Sequence, residues 1–213
     1  MNANLCITRI DINVQHQPSR VDPVRDALQS LPGSGAVQVT VHTTEGSLGN
    51  GEVGFGRISG APDALAALVE HELKPLVIGS NLAFVRRTHE KMLRETEYHG
   101  SFGLAMFGIA VVDIALWDCL GKSLGVPCWQ LWGATRDRVP AYAMCGWLNY
   151  DDDQVQRVCA QAVEQGFRAV KIKVGYPTLA QDIRRVQVVR EAVGDDVTLM
   201  VDANQSLTTA EAI

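Results

Sequence analysis

An α+β domain followed by an alternating β/α segment with parallel strands is the fold class that this 213-residue sequence predicts. Three observations predict it. The first forty-odd residues alternate apolar and polar side chains with the period of strands, and residues 62–124 carry apolar side chains at helical spacing. From residue 140 onward, short aliphatic runs alternate with amphipathic stripes closed by glycine. Alternation of that kind with short links implies parallel strands with helices outside them, as in a barrel or a doubly wound sheet.

Cys6, Ile7, Ile10, Ile12 and Val14 form the first apolar run, and Val37, Val39 and Val41 alternate with polar neighbours as a second strand. Thr43, Thr44, Glu45 and Gly46 read as a turn before a third short run toward Glu52. Residues 15–35, between the first two strands, are polar and Pro-bearing, and long enough for a functional loop rather than a hairpin turn. Pro62 suits the first position of a helix whose face is Leu65, Leu68, Val69 and Leu73, and Pro75 is expected to end it. Further helices are expected over 83–94 and 103–124. The second of these is apolar nearly all round, which predicts burial in the middle of its domain. Its apolar stretch, 104–116, is interrupted by Asp113 and followed by Asp118, so it is expected to be too short and too charged to span a bilayer. The polar segment GATRDRVP (133–140) marks a boundary between a domain at 1–133 and one at 134–213.

Beyond that boundary, residues 140–145, 167–174 and 197–201 read as strands. Val155, Val158, Cys159, Ala162 and Val163 stripe one helix, ending at Gly166. Leu179, Ile183, Val186, Val189 and Val193 mark another, closed by Gly194. Thr208, Thr209, Ala210 and Glu211 form a capping box, the signature of a helix start, with two residues after it. One turn does not sustain a helix, so the chain is expected to be cut within an element.

The net charge of −5 argues against a nucleic-acid or anionic-membrane partner, which would need a basic face. Asn2, Asn4, Arg9 and Asp11 break up any apolar leader. Five cysteines (6, 119, 128, 145 and 159) have no CxxC spacing and read as buried free thiols; the expected compartment is a reducing cytoplasm.

The chemistry concentrates in VKIKV (170–174) and DAN (202–204). Period two puts Lys171 and Lys173 on one side of a strand whose other side is aliphatic. Two amines on one interior face lower each other's pKa and turn a lysine into a usable base. The same spacing fits an edge strand whose lysines stand in water as a guard against aggregation. Asp202 and Asn204 share a face at the carboxyl end of the next strand, where α/β folds bind ligands. A carboxylate there suits a Mg²⁺ ion, and it equally suits a cap on the following loop.

Other motifs carry less. GNGEVG (49–54) matches GxGxxG, yet it follows a hairpin and no helix opens after it. Asp113 and Asp118, five apart on a helix, point about 140° apart and read as buried, hydrogen-bonded structural groups. His71-Glu72 and His89-Glu90 lack the second histidine of a zinc hydrolase, and no serine or cysteine sits in a nucleophile motif.

The run GFRAVKIKVGYPTLAQDIRRVQVVREAVGDDVTLMVDANQSLTTAEAI (166–213) resembles the mandelate racemase / muconate lactonizing enzyme family of the enolase superfamily. Residues 110–133, AVVDIALWDCLGKSLGVPCWQLWG, resemble the family's capping-domain helix leading into its barrel. GYP after the lysine strand is similar to the mandelate racemase subgroup. The resemblance implies an α+β N-terminal capping domain (1–133) followed by the first part of a (β/α) TIM-type barrel (134–213), about three strand–helix units and incomplete. It implies that Lys173 abstracts the proton α to a substrate carboxylate, and that Lys171 tunes it. It further implies that Asp202 is the first of three acidic Mg²⁺ ligands, with the metal stabilising an enediolate, and that Asn204 contacts the substrate α-hydroxyl. Residues 15–35 and 52–58 would then supply loops over the site.

The expected outcome is racemisation of a 2-hydroxy acid or dehydration of a sugar acid, with a muconate-type cycloisomerase as a sibling. The partner implied is a small-molecule carboxylate, and the full-length parent is expected to form even-numbered homo-oligomers. The remaining acidic ligands and the opposite-face base are absent from the sequence, so the 213 residues alone are expected to be inactive. Two readings from other classes stand beside this one: a truncated, non-catalytic remnant that either associates with other chains or does not fold stably, and an enzyme forming a Schiff base on Lys171 or Lys173.

Overall fold

A computed structural model describes residues 5–31, 33, 35–45, 51–99 and 102–213, without the side chains of 45, 51–53, 55 and 99. The strands are β1 (Ile7–Gln15), the short β2 (Val24–Arg25) and β3 (Ser30–Leu31), β4 (Ala36–Glu45), β5 (Gly51–Ser59), β6 (Ala143–Gly146), β7 (Ala169–Lys173) and β8 (Thr198–Asp202). The α-helices are α1 (Pro62–Leu68), α2 (Lys74–Val77), α3 (Val85–Glu95), α4 (Leu104–Leu124), α5 (Cys128–Leu131), α6 (Asp152–Glu164), α7 (Leu179–Val193) and α8 (Thr209–Ala212). The chain divides into two compact units: residues 19–32 group with 136–213, and the rest up to residue 135 form the other.

In the first unit β1, β4 and β5 form an antiparallel sheet in that order. β4 is central, and Val37, Val39, Val41 and Thr43 alternate inward along it. A register shift between Ile7 and Arg9 changes the parity of β1, so Ile7 and Ile10 both reach the core although they are three apart. β4 continues through Glu45, so Thr43 and Thr44 pair as strand residues rather than forming the expected turn; Gly46 lies outside the described residues. Residues 52–58 are likewise strand rather than loop, paired along β4. Of the GxGxxG match, Gly49 and Asn50 lie outside the described residues and the remainder is in β5.

Helix α4 lies against β4 and β5. It comes close because β5 offers backbone there: a Cβ at Gly54 would overlap the Ala115 carbonyl, and one at Gly56 that of Val111. Ile109, Val111, Val112, Ala115, Leu116 and Cys119 are buried in the core with Leu65, Leu73 and Met92. Each of the Ile, Val, Leu and Met side chains among them contributes about 1.5–3 kcal/mol. The helix is not buried all round as its composition predicts. Leu104, Phe107, Ile114 and Leu124 are exposed, because a helix presents only one face to a sheet. Its 21 residues are long and apolar enough to cross a membrane by length and composition alone, contrary to the reading of the 104–116 stretch, but half of that window is buried within the unit, as in the core helix of a globular domain.

Pro75 does not end the preceding helical run. A wide π turn over Val69–Leu73, with the Lys74 N–H bonded to the Val69 carbonyl, shifts the register so that the proline falls at the start of α2. Asp113 pairs with His89 at 3.1 Å and Asp118 with Lys122 at 2.6 Å; both are hydrogen-bonded as expected, but partly exposed rather than buried. All five cysteines are free thiols; Cys119 and Cys159 are buried and the other three are partly exposed.

In the second unit β6, β7 and β8 form a parallel sheet in that order. Val155, Cys159 and Ala162 of α6, with Val189 and Val193 of α7, cover one face over Val170 and Ile172. Asp151 caps α6 by accepting from the Gln154 N–H at 2.7 Å. Leu179 and Ile183 are exposed, contrary to expectation, and the inward face of α7 is Arg185, Val189 and Val193. The capping box at Thr208 and Glu211 is formed, opening α8. Residues 19–31 fold back within this unit. Asp26 closes the β2–β3 turn through the Leu28 and Gln29 N–H groups, and the Arg25 backbone bonds Leu148 and Asn149 after β6. Gly175 is required where it stands: its φ is +108°, and a Cβ would meet Ala27 and Ser206.

Candidate active site at the carboxyl ends of β7 and β8

β7 is the central strand of its sheet, which removes the reading of its lysines as an edge guard in water. Its aliphatic positions, Val170 and Ile172, go to the helices, so Lys171 and Lys173 project from the opposite face. Lys173 stands opposite Asp202 in the register, and Lys171 opposite Met200, so the carboxylate meets both amines. The Lys173 Nζ lies 2.8 Å from Asp202 Oδ2, and the Lys171 Nζ lies 3.3 Å from the same oxygen. The Lys173 side chain is only 6% exposed.

Two aromatic rings complete the surroundings. Trp147, the residue after β6, places its ring centroid 5.5 Å from the Lys173 Nζ, and Tyr142 lies 5.0 Å from that of Lys171. The other carboxylate oxygen of Asp202 accepts from the Asn204 N–H at 3.0 Å, so Asp202 also caps its loop. Asn204 sits in the left-handed region (φ 48°), and its side-chain oxygen is buried without a hydrogen-bond partner. The structure thus brings together Lys171, Lys173 and Asp202, with Asn204 tied to Asp202 through its backbone.

The electrostatics differ from the simple picture of two amines lowering each other. The Lys173 ammonium first, then the Asn204 N–H and Lys171, hold the Asp202 carboxyl down at about 2. Lys171 is shifted upward: the Tyr142 hydroxyl, with Asp202, favours its ammonium form over the burial that opposes it. The expectation of a mutual lowering therefore fails for Lys171, because acceptors stand beside the amine.

Tyr142, Trp147, Asp182 and Arg185 were not legible as site residues. Asp182 accepts from the N–H groups of Gly175 (3.0 Å) and Tyr176 (3.2 Å), pinning the chain as it leaves β7. The signal for Asp182 and Arg185 was their three-residue spacing, in register with Val189 and Val193.

Among the described residues, no group of three or more His, Cys, Asp or Glu side chains is placed to hold a metal. Asp202 and the orphaned Asn204 oxygen are hard donors, right in kind for Mg²⁺. These two oxygens, one of them already shared by two lysine amines, supply part of a magnesium site and not a whole one.

Residues 9–133 match the family model for the mandelate racemase / muconate lactonizing enzyme N-terminal domain, and residues 154–213 match that of the enolase C-terminal domain-like family. The chain belongs to the mandelate racemase / muconate lactonizing enzyme family. In the terms of that family, the strand-rich first unit is a capping domain and the parallel sheet with its helices is an incomplete barrel. The chain is 34% identical over 197 residues to an arabinonate dehydratase of Saccharolobus solfataricus, covering 91% of this chain and 52% of that protein. Its fold is similar to a racemase from Streptomyces coelicolor A3(2) with bound magnesium, with a TM-score of 0.83, 30% identity and coverage of 97% and 57%. It is also similar to the L-talarate/galactarate dehydratase of Salmonella typhimurium LT2, liganded with Mg and L-lyxarohydroxamate, with a TM-score of 0.81, 31% identity and coverage of 96% and 53%. The chain spans about half the length of the relatives it matches. Those relatives of the mandelate racemase / muconate lactonizing enzyme family include racemases and sugar-acid dehydratases.

Proposed function

We propose that this chain carries the proton-abstracting part of an enolase-superfamily active site that acts on a small 2-hydroxy or sugar acid. The observation that carries the reading is the pair of lysines at 2.8 and 3.3 Å from one carboxylate oxygen at the end of adjacent parallel strands. Lys173, the more enclosed of the two, takes the proton α to the substrate carboxylate in its neutral form, after the ammonium that pairs with Asp202 has released a proton to solvent. Lys171, held cationic by Tyr142 and Asp202, supplies positive charge where the substrate carboxylate gains electron density. Asp202 offers one oxygen ligand for Mg²⁺, and the Asn204 side-chain oxygen is a free acceptor for a substrate hydroxyl. Magnesium, when bound, would neutralise the charge that develops on the substrate carboxylate. The names of the relatives support a racemisation or dehydration outcome.

The test is exchange of the substrate α-proton for deuterium, followed by NMR over a panel of 2-hydroxy and sugar acids, using the native polypeptide that carries these residues. Magnesium-dependent exchange that disappears in Lys173→Met is the expected result; exchange retained in that variant would sink the proposal. With one carboxylate at the site, the 213 residues in isolation are proposed to be inactive, and EDTA-sensitive turnover by the isolated chain would overturn that part.

A further inference from the structure

Arg185 lies on α7 one turn ahead of Val189 and two ahead of Val193, on the face turned to the sheet, and is 2% exposed. A guanidinium keeps its charge when buried, so the burial is tolerable only if its N–H groups are satisfied. Here all its partners are neutral oxygens at one end of the sheet. Nε donates to the Lys173 carbonyl at 3.1 Å, Nη1 to the Tyr150 carbonyl at 3.1 Å and to the Tyr176 hydroxyl at 3.4 Å, and Nη2 to the Trp147 carbonyl at 2.5 Å. The Tyr176 hydroxyl donates onward to the Leu148 carbonyl at 2.6 Å. Asp182, one turn earlier on α7, takes the N–H groups of the chain leaving β7. One helix therefore grips both strand exits, with an acceptor for the N–H groups after β7 and a fork of donors for carbonyls at the ends of both β6 and β7.

We infer that Arg185 is the positioning residue for Lys173. The inference rests on the reading of Lys173 as the proton-abstracting group and adds the residue that aims it. The guanidinium ties the backbone of Lys173 itself. It also ties Trp147, whose ring borders the Lys173 ammonium. A planar five-donor fork fixes these two backbones in one arrangement, which an ammonium or an apolar side chain does not do. Loss of the fork costs stability, because the Lys173, Tyr150 and Trp147 carbonyls lose this donor, and it also frees the two backbones that carry the Lys173 amine and the Trp147 ring. A displacement of about 1 Å at a reacting group is worth on the order of a hundredfold in rate.

The experiment follows the Lys173 ammonium directly in the 213-residue chain. Lysine side-chain NMR would record the coupling across the hydrogen bond from the Lys173 nitrogen to the Asp202 carboxylate carbon in the wild type, Arg185→Met, Arg185→Lys and Arg184→Met. Arg184 is the control, exposed and paired with Asp152 at 2.8 Å. Thermal midpoints establish which variants are folded. The expected result is a coupling present in the wild type and Arg184→Met, lost in Arg185→Met and weakened in Arg185→Lys. A folded Arg185→Met chain with the coupling intact overturns the inference and leaves the proposed function standing. No coupling in the wild type removes the Lys173–Asp202 contact, and the proposed function falls with it. If Arg185→Met does not fold, Arg185→Lys decides alone; failure of both to fold would assign Arg185 to stability and overturn the positioning role.

Discussion

The two three-stranded sheets treat the polar side of their central strands in opposite ways. In the first, β4 sends Val37, Val39 and Val41 inward, and the charges of the neighbouring β1 stay in water: Arg9 pairs with Asp11 at 3.1 Å, both more than half exposed, and His42 meets the same carboxylate at 2.8 Å. In the second, β7 sends Val170 and Ile172 to the helices and holds Lys173 nearly out of water and Lys171 only 22% exposed, against Trp147, Tyr142 and Asp202. Exposed pairs are screened and nearly interchangeable, whereas enclosed ones need their partners and set each other's protonation. The same alternation thus yields a solvated face in one unit and an enclosed charged cluster in the other.

The comparison can be broken from its apolar side first. Ile109→Ala, at a fully buried position of α4, is expected to cost about 3–4 kcal/mol in urea denaturation and to leave the Lys173–Asp202 contact unchanged. Asp202→Asn removes the anion that both lysines share and is expected to cost about 3 kcal/mol, read from the same curves. A cost near zero there would place the second site in the same screened regime as the first.

Acid sharpens the contrast further. The Asp202 carboxyl is depressed from 3.8 to about 2 in the folded chain. A depressed carboxyl contributes stability that is complete above its unfolded value and is lost as pH falls through its folded value. On the order of 2 kcal/mol should therefore disappear between roughly pH 4 and pH 2 in metal-free buffer. Asp202→Asn should lack that slope. The smallest effect is expected in the first sheet, where Asp11→Asn should change stability by about 0.5 kcal/mol or less, and by still less in high salt.

Much of the site was legible because it is written at short range. VKIKV fixes two amines on one side of a strand, and the DAN run at the end of the next strand puts a carboxylate within their reach. What stayed hidden depends on neighbours that the local pattern does not name. Arg184 and Arg185 are adjacent in the sequence, yet packing of α7 on the sheet buries the second and leaves the first exposed. The raised pKa of Lys171 depends on Tyr142, 29 residues earlier in the chain, and the docking of residues 19–31 beside Leu148 spans still more sequence.

By itself the sequence determined the periods: the strand alternation, the stripe of α6, the capping box at Thr208 and the sidedness of β7. Each of these is set by bonds and rotations within a few residues. Tertiary structure decided which strand is central, which charge is enclosed, and which acceptor stands beside each amine. Those outcomes depend on burial and through-space distance, and neither is encoded until the chain has brought remote segments together.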